Sequence, residues 1–430
     1  MRTVGIIVEY NPLHNGHVYH IQQSRKVTGA EAVVAVMSGH FLQRGEPALL
    51  DKWARADMAL HQGVDLLIEL PVAYSVQPAE WFAYGAVSLL EATGIVDTLC
   101  FGSEIGNLAA LSAAAERLSD ESDEFQTSLR HHLKHGMNYP AAFAAAASCS
   151  TASPLSHVEN ANDALLEQGT ALETSDPSWI AEPNNSLGLH YLMALHRIRS
   201  SIAPYTIARQ KAGYHDQDVN DSFIASATAI RKLIMEDHHS PASYMPASSW
   251  TILQQAQDMG RAPVSWKQLE RHLFYQLQRS SRQQLAELLE VTEGLEYRME
   301  QALPQLAELT MEAFIAHIKS KRYTRTKLQR MLTHILLGHR KVHFGPEALA
   351  QGPAYIRVLG FNEKGQALLK RMRKTASCPI VHKVTRDNAQ LGGICGLTAD
   401  VQATAIYANA FSNWTGKLAY RDYYEPPIRR

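Results

Sequence analysis

Short apolar runs alternate with segments of helical periodicity over the first hundred residues, and this alternation restricts the possible folds more than any other feature. Four mostly apolar runs are typical of strands buried on both faces of a sheet. These runs are Val4–Val8, Ala32–Met37, Asp65–Leu70 and Val96–Phe101. The helical patterns between them are His17–Arg25, Trp53–His61 and Glu80–Thr93. Strand and helix in regular alternation predict a parallel sheet with right-handed crossovers.

The second half of the chain has a different character. From about Asp237 the patterns are mainly helical, and no repeat of fixed period is visible. Helices are expected at Trp266–Gln278, Arg282–Leu289, Met311–Ile318 and Thr326–Leu337, and a short extended segment at Tyr355–Gly360. A chain of 430 residues is long enough for two or three domains. We therefore predict an α/β domain over residues 1–236 and a mainly helical C-terminal domain over residues 237–430.

Composition and cysteine usage indicate a cytoplasmic protein. No run approaches the roughly 18 apolar residues that span a bilayer, so no membrane partner is expected. The four cysteines form no Cys-x-x-Cys pair, which argues against a zinc site or a disulfide framework. The net charge is −1, so any surface for nucleic acid has to be a local patch.

The motif with the most specific chemistry is Glu9-Tyr10-Asn11-Pro12-Leu13-His14-Asn15-Gly16-His17, which begins where the first strand ends. His14 and His17 are expected on one face of a helix start, beside the free N–H groups of its first turn. Imidazole donors at a helix N-terminus are well placed to hold a polyphosphate. The alternative is that one histidine caps the helix and the other is a core residue.

Polar, glycine-bearing segments follow two further strands. Ser38–Pro47 follows the second strand, and Gly102-Ser103-Glu104 follows the fourth. Each alone could be an ordinary turn. Ligands of open parallel sheets bind at the carboxyl ends of the strands, so three such segments together predict a binding site at that edge.

A second candidate phosphate-binding motif is Ser226-Ala227-Thr228-Ala229-Ile230-Arg231. Two hydroxyls at a helix start can donate to an anion, and the Arg231 guanidinium supplies a planar fork. The alternative is a plain N-cap.

Together, His14-x-x-His17 and Ser226-x-Thr228-x-x-Arg231 resemble the His-x-x-His nucleotidyltransferase superfamily. Longer stretches are similar to the bacterial tRNA(Met) cytidine acetate ligases, and the similarity runs nearly end to end. The stretches are Gly5–Pro12, His14–His17, Ser38–Pro47, Asp65–Pro71, Phe101–Glu104, Pro183–Asn185, Tyr205–Arg209, Ala212–Asp216 and Tyr355–Phe361. His40 stands where the family pattern leads us to expect Asn, and Ser186 where we expect a branched apolar residue.

The resemblance implies a Rossmann-like sheet of the nucleotidyltransferase type and a two-step reaction. ATP, bound with Mg²⁺ and consumed as a substrate, would activate acetate as acetyl-adenylate. The acetyl group would then pass to the wobble cytidine of elongator tRNA(Met). It implies His14, His17 and Arg231 as catalytic residues and no dedicated metal ligands. The implied ATP site comprises Ile7, Val8, Glu9, Tyr10, Asn11, Pro12, Leu13, His14, Asn15, Gly16, His17, Val18, Tyr19, His20, Gly102, Asn184 or Asn185, Arg209, Ser226 and Thr228.

A dense basic stretch in the C-terminal half is the candidate tRNA surface. Its members include Lys321, Arg322, Arg325 and Arg330, and a shorter basic run follows at residues 370–374. Backbone charge dominates RNA affinity, so such clusters suit a tRNA-binding protein. The alternative is a solvated helix face. Two other functions share some of these features, namely a small-molecule adenylyltransferase and a non-catalytic RNA-binding protein.

Overall fold

The structure, a computed structural model, describes residues 1–119, 123–137, 141–143, 145–147, 177–209, 225–236 and 240–430. Its strands all belong to one mixed sheet. They are β1 (Thr3–Val8), β2 (Ala32–Ser38), β3 (Leu66–Leu70), β4 (Thr98–Ser103), β5 (Ala203–Ala208), β6 (Ile356–Phe361), β7 (Ile380–Val381) and β8 (Ile428–Arg429).

The N-terminal part of the sheet is parallel, as the sequence predicts. Its strand order is β5-β4-β1-β2-β3. The chain runs outward from β1 to β3 and then crosses back to β4 on the other side of β1. This reversal makes the crevice between β1 and β4 the topological switch point, where ligands of open α/β sheets bind.

The C-terminal part of the chain extends the same sheet. β6 pairs antiparallel with β3, from Leu66 opposite Phe361 to Glu69 opposite Arg357, and β7 and β8 pair with β6. The segment expected to be extended at Tyr355–Gly360 is therefore a strand. The division between residues 236 and 237 remains a prediction, but the parts on either side of it share one hydrogen-bonded sheet.

Helices cover the sheet and form most of the remaining described chain. In the first part they are α1 (Asn15–Thr28), α2 (Lys52–His61), Val72–Ser75, Ala79–Thr93, Leu108–Ser119, Asp123–Lys134, Pro183–Arg197 and Ala227–Glu236. In the second part they are Ala247–Asp258, Trp266–Arg279, Arg282–Ala286, Leu295–Ala302, Met311–Ile318, Arg325–Leu337, Lys341–Phe344, Pro346–Leu349, Glu363–Thr375, Leu397–Tyr407 and Gly416–Ala419. Short 3-10 turns lie at Pro177–Ala181, Pro241–Tyr244, Leu303–Gln305, Gly393–Cys395, Ala408–Ala410 and Arg421–Tyr423.

One predicted helix is shorter than expected. The pattern suggested Arg282–Leu289, but the helix ends at Ala286. Leu288 forms a β-bridge with Arg340, and the Leu289 N–H donates to the His339 carbonyl at 2.8 Å. These long-range backbone bonds replace the last helical turn.

Burial on both faces of the sheet explains why its strands are nearly all apolar. Val33, Ala35 and Met37 of β2 pack into the core beneath α1 and α2. Val34 and Val36 face the opposite core, which the helix Ala79–Thr93 covers. Within the described ranges, no helix is both long and apolar enough to cross a membrane.

Candidate active site

The loops after β1, β4 and β5 meet at the switch point of the sheet. His14 and His17 follow β1, Glu104 follows β4, and Arg209 follows β5. The carboxyl ends of these parallel strands lie side by side, so residues nearly two hundred positions apart in the chain share one edge. The sequence-predicted segments do converge there.

The two histidines form a reciprocal cap at the start of α1. The His14 ring Nδ1 accepts the Gly16 N–H at 3.1 Å, and the His17 ring Nδ1 accepts the His14 N–H at 3.3 Å. The ring centroids are 3.9 Å apart. A neutral imidazole that accepts at Nδ1 carries its proton at Nε2. Each ring is therefore left with one N–H donor for a ligand.

The expectation of free first-turn amides at α1 is wrong for Gly16, His17 and Val18. The Gly16 N–H donates to the His14 ring, and the N–H groups of His17 and Val18 donate to the His14 carbonyl at 2.9 and 3.2 Å. His14 and His17 therefore cap the helix and can also bind a ligand. The imidazoles take up backbone amides on one side and present Nε2 donors on the other.

Burial and nearby cations keep these imidazoles neutral. Desolvation, followed by the charges of Arg209 and Arg231, lowers the pKa of His14 to about 4. Burial also holds the pKa of His17 well below its usual range. The pKa of His20 is lowered to about 4 by burial and by Arg209, against a hydrogen bond with the Cys100 backbone. All three act as neutral donors or acceptors near pH 7.

Glu104 organises the β4 side of the site. Its carboxylate accepts the backbone N–H of Asn185 at 2.8 Å and binds both the backbone and side-chain N–H groups of Asn184. The Asn185 amide oxygen accepts the Glu104 and Ile105 N–H groups at 2.8 and 3.1 Å. Asn185 is fully buried, so it joins β4 to the helix Pro183–Arg197. Asn184 is the one of the pair that remains partly exposed.

Arg209 reaches across the end of β4. Its guanidinium donates to the Asn184 amide oxygen at 2.7 Å, and its side chain is exposed. A Cβ at Gly102 would lie 3.3 Å from the Arg209 Cγ, so glycine lets the arginine stem cross the strand end closely. The sequence-predicted residues Gly102, Asn184 and Arg209 therefore form one arrangement.

Arg231 is brought to the same site from the helix Ala227–Glu236. Its guanidinium donates to the Asn11 carbonyl at 3.0 Å and to the Thr228 hydroxyl at 3.3 Å. It also lies 3.7 Å from the Glu46 carboxylate. Ser226 accepts the Ala229 N–H at 3.2 Å, which is the geometry of an N-cap. The predicted motif thus contains a cap at Ser226 and a cation at Arg231 beside the β1 loop.

Arg55, which the sequence analysis did not identify, holds the ends of β1 and β2. It has no exposed surface, and its guanidinium donates to the carbonyls of Glu9 at 2.7 Å, Ser38 at 3.0 Å and Gly39, while its Nε donates to Leu50. The signal was a basic residue on the buried, mostly apolar face of α2, which Lys52 shares. Buried charge at that position requires polar partners.

Two side chains of the β1 motif join it to the loop after β2. The Glu9 carboxylate accepts the Gln43 N–H at 2.7 Å, and burial raises its pKa. The Asn11 amide oxygen accepts the Leu49 N–H at 2.7 Å. These contacts fix the β1 loop, so Glu9 and Asn11 contribute to its shape through their side chains.

His40, the departure from the expected pattern, is buried beside the C-terminal helix Leu397–Tyr407. Its Nδ1 is 3.3 Å from the Thr404 hydroxyl, and its ring lies 4.4 Å from that of Tyr407. Burial and the charge of Lys52 hold its pKa well below the usual range. His40 is therefore a neutral packing residue between two distant segments.

The predicted tRNA-binding arginines are all ion-paired. Arg322 binds Glu293 at 2.6 Å, Arg325 binds Glu312, and Arg330 binds Glu290 at 3.2 Å. Arg330 is only 9% exposed and so does not share an exposed face with the others. Lys321 is exposed.

The two basic runs lie at opposite edges of the sheet. The helix Arg325–Leu337 contacts the loop after β2, because the Thr333 hydroxyl donates to the Gly45 carbonyl at 3.0 Å. The helix Glu363–Thr375 carries the second run, and its Arg371 and Thr375 donate to the carbonyls of Met1 and Thr93, near the amino ends of β1 and β4. One RNA contact surface at the carboxyl edge therefore cannot include both runs.

Two further expectations concern the stretch Ala212–Asp216 and metal ligands. The family-like stretch Ala212–Asp216 lies outside the described residues. Within the described ranges, no group of three or more His, Cys, Asp or Glu side chains is placed to hold a metal ion.

Comparison with known proteins identifies relatives over the whole chain. Residues 1–421 match the HIGH Nucleotidyl Transferase family. The tRNA(Met) cytidine acetate ligase of Caldanaerobacter subterraneus is 39% identical over 430 residues and covers 100% of both chains. That of Acetivibrio thermocellus is 37% identical and covers 98% of both chains.

Solved structures agree with this assignment. A crystal structure of Thermotoga maritima TmcAL bound with alpha-thio ATP superposes with a TM-score of 0.85 at 31% identity, covering 100% of this chain and 99% of that one. An apo form of the same Thermotoga protein gives a TM-score of 0.86 at 32% identity with the same coverage.

Proposed function

The chain belongs to the HIGH nucleotidyl transferase family and, within it, to the tRNA(Met) cytidine acetate ligases. On this basis we propose that it acetylates tRNA in a reaction that consumes ATP. It activates acetate as acetyl-adenylate and transfers the acetyl group to N4 of the wobble cytidine of elongator tRNA(Met), forming N4-acetylcytidine. The reaction takes place in the cytoplasm, where this RNA is found. The observation that carries the proposal is the pair of imidazoles, His14 and His17, which cap α1 through Nδ1 at the switch point with their ring centroids 3.9 Å apart.

In the first step an acetate oxygen attacks the α-phosphorus of ATP. The bond between the α-phosphorus and the oxygen that bridges it to the β-phosphate breaks, and pyrophosphate is released. Negative charge then grows on the oxygens around the α-phosphorus. The Nε2–H groups of His14 and His17 and the Arg231 guanidinium are the donors that we assign to these oxygens. Fixed donors in a partly buried site stabilise that charge more strongly than water does.

The remaining predicted residues hold the nucleotide. We assign the backbone of residues 7–20 to the phosphates and nucleoside, and Gly102, Asn184 and Arg209 to the β4 side. Asn185 supports this arrangement through Glu104, because its own polar atoms are engaged. Mg²⁺ would arrive with the ATP phosphates, since Mg²⁺ is commonly held through substrate phosphates and water.

In the second step the cytidine N4 amine attacks the acyl carbon of acetyl-adenylate. The carbon–oxygen bond to the phosphate breaks, AMP leaves with the electron pair, and N4 loses a proton. Acetate alone is unreactive because oxide is a poor leaving group. Adenylation replaces that leaving group with a phosphate monoester.

For tRNA contacts we retain Lys321, Arg322 and Arg325. Surface ion pairs such as Arg322 with Glu293 contribute only about 0–1 kcal/mol, so an RNA phosphate can displace the carboxylate. Arg330 supports the helix from within, through Glu290. We also assign adenylation to residues 1–236 and RNA binding to residues 237–430.

The proposal is tested by two measurements on the purified full chain. Labelled pyrophosphate should exchange into ATP when acetate is present, without any nucleotide acceptor. Mass spectrometry of tRNA nucleosides should then detect N4-acetylcytidine after incubation with ATP and acetate. Exchange that requires a mononucleotide instead of acetate would indicate a small-molecule adenylyltransferase, and RNA binding without any exchange would indicate a non-catalytic protein.

A further inference from the structure

We propose that Trp414, Tyr420 and Tyr424 form a stacking surface for unpaired bases of the RNA substrate, an inference that rests on the proposed function. These three aromatic side chains are 52%, 48% and 55% exposed. They lie within eleven residues of chain, around the single-turn helix Gly416–Ala419. Sequence-specific RNA recognition targets unstacked bases of loops, which stack on exposed aromatic rings.

The backbone beneath this aromatic surface is held by buried charge. Arg421 binds Asp51 at 2.7 Å, and Asp422, which has no exposed surface, binds Lys52 at 2.8 Å and Arg357 at 2.9 Å. These two anchors lie between Tyr420 and Tyr424. The rings therefore project from a fixed base, and binding a nucleotide requires little ordering of the chain.

Three cations lie on the segments that form or border the aromatic surface. The Lys417 ammonium lies 6.0 Å from the centre of the Tyr424 ring. Lys383 and Arg386 are exposed on the segment whose Val381 and Val384 form the small core against which Tyr423 packs. Across the described ranges, none of these three cations forms an ion pair. These cations are therefore available for phosphates beside the stacked bases, in addition to the contacts assigned to Lys321, Arg322 and Arg325.

Hydrogen bonds connect the aromatic surface to the proposed adenylation site. The Ser412 N–H donates to the Gly260 carbonyl at 3.0 Å, and the Val264 N–H donates to the Leu49 carbonyl at 3.0 Å. The Leu49 N–H in turn donates to Asn11 of the β1 loop. Asp422, beneath the surface, binds Lys52, which also binds Glu69 near the carboxyl end of β3 at 2.7 Å. The surface therefore lies on the carboxyl side of the sheet, where a base must arrive to receive an acyl group.

The test replaces each exposed ring and compares two activities of the full chain. Trp414→Ala, Tyr420→Ala and Tyr424→Ala should each weaken tRNA binding in a filter assay, and raise KM for tRNA, by roughly five- to a hundredfold, the range expected for loss of one base–aromatic stack. Acetate-dependent pyrophosphate exchange should stay within about twofold of the wild type. Trp414→Phe should retain most of the affinity, because a phenyl ring still stacks. Tyr275→Ala removes a ring that is even more exposed, at 63%, on the helix Trp266–Arg279, and should change neither activity.

Unchanged tRNA affinity in all three alanine variants would overturn the proposal. So would sedimentation showing that the same variants convert a dimer into a monomer without changing tRNA affinity, because the rings would then join two copies of the chain. If the wild type binds RNA through these rings but shows no acetate-dependent exchange, the proposed function fails and the aromatic surface stands.

Discussion

His14 and His17 each use one ring nitrogen to hold the backbone and one to face the proposed ligand. This double use allows the two roles to be separated by substitution. His14→Ala removes both the cap and the Nε2 donor, whereas His14→Ser keeps an N-cap acceptor and removes only the donor. The variants His14→Ala and His14→Ser therefore form a matched pair that separates the capping role of His14 from its ligand-binding role.

We expect His14→Ala, His14→Ser and His17→Ala each to slow acetate-dependent pyrophosphate exchange by about a hundred- to a thousandfold, the usual effect of losing one transition-state donor. His14→Ser should keep its thermal stability, while His14→Ala should lose about 1 kcal/mol with its cap. Exchange at the wild-type rate in His14→Ser would show that His14 acts only as a cap.

Arg55 is the second residue-scale case, because one guanidinium binds carbonyls at the ends of two strands. Arg55→Lys keeps the charge but loses the planar fork, so we expect a folded protein with a lower kcat for exchange and a KM for ATP changed less. Arg55→Met leaves several buried carbonyls without a donor and should lower the free energy of unfolding by at least about 3 kcal/mol. Both are measured by denaturant titration and exchange kinetics. Wild-type exchange kinetics in Arg55→Lys would contradict a role for the fork geometry.

At the scale of single elements, the helix Arg325–Leu337 lies so close to the loop after β2 that a side chain at Gly45 would clash with the helix backbone. A Cβ on Gly45 would lie 2.4 Å from the Arg330 backbone nitrogen, and Gly45 has a φ of +75°. Its carbonyl also accepts the Trp266 indole N–H at 3.0 Å. Glu46, the next residue, faces Arg231. The helix and the proposed active site therefore share one loop.

Gly45→Ala should displace this loop and reduce both stability and pyrophosphate exchange. Gly338→Ala is a suitable control, because Gly338 has a similar φ of +72° but nothing within 4 Å of its added Cβ. Left-handed backbone strain costs about 1–2 kcal/mol for a non-glycine residue. We expect Gly338→Ala to show that loss alone, and Gly45→Ala to show a larger one in differential scanning fluorimetry. Equal losses of stability in the two variants would mean that the helix Arg325–Leu337 can move away from the added Cβ of Gly45→Ala without cost.

Local patterns predicted the elements whose partners are close in sequence. β1, β2, α2 and the helix Met311–Ile318 were expected within one or two residues of their observed bounds. The helices Glu363–Thr375 and Leu397–Tyr407 were not predicted. The pairing of β3 with β6 could not be predicted from either strand. A buried strand needs the same apolar residues whether its neighbour runs parallel or antiparallel to it. The site was found through its motifs, whereas Arg55 and the glutamate partners of the basic stretch depend on tertiary contacts.

At the scale of the whole molecule, a buried ion cluster joins the sheet to the C-terminal segment. Lys52 has no exposed surface and binds both Glu69 at 2.7 Å and Asp422 at 2.8 Å. Asp422→Asn should lower the free energy of unfolding by about 3–5 kcal/mol, the typical cost of breaking a buried pair. Asp57→Asn, which removes the surface partner of Arg430, should cost at most about 1 kcal/mol. The free energy of unfolding of both variants is measured by urea titration. Similar losses in the two would contradict a stabilising role of the buried ion cluster.

Buried histidines make stability depend on pH. Burial lowers the pKa of His14, His20 and His190 to about 4 and that of His334 to about 3. Between pH 6.5 and about 4 the unfolded chain binds these protons and the folded chain does not, so stability falls as pH falls through that window. The raised pKa of Asp400, about 7, and the raised pKa of Glu9 act in the opposite direction, but for fewer groups than these imidazoles.

We expect the free energy of unfolding to drop steeply between pH 6.5 and 5 in urea titrations. His190→Phe, which keeps an aromatic ring beside Phe143, should reduce the slope by up to about 1.4 kcal/mol per pH unit. A slope that is flat in the wild type would contradict the neutral state assigned to these imidazoles.

The pairing of β3 with β6 also sets an order of events on the ribosome. The Asn362 side chain, which binds Asp65 at the start of that pairing, is 297 residues further along the chain. At about 5–20 residues per second, this interval lasts about 15–60 s. Throughout this interval the outer edge of β3, on the side away from β2, has no neighbouring strand, and such edges template aggregation. Newly made chains of this enzyme should therefore depend on chaperones during synthesis more than its finished stability would suggest.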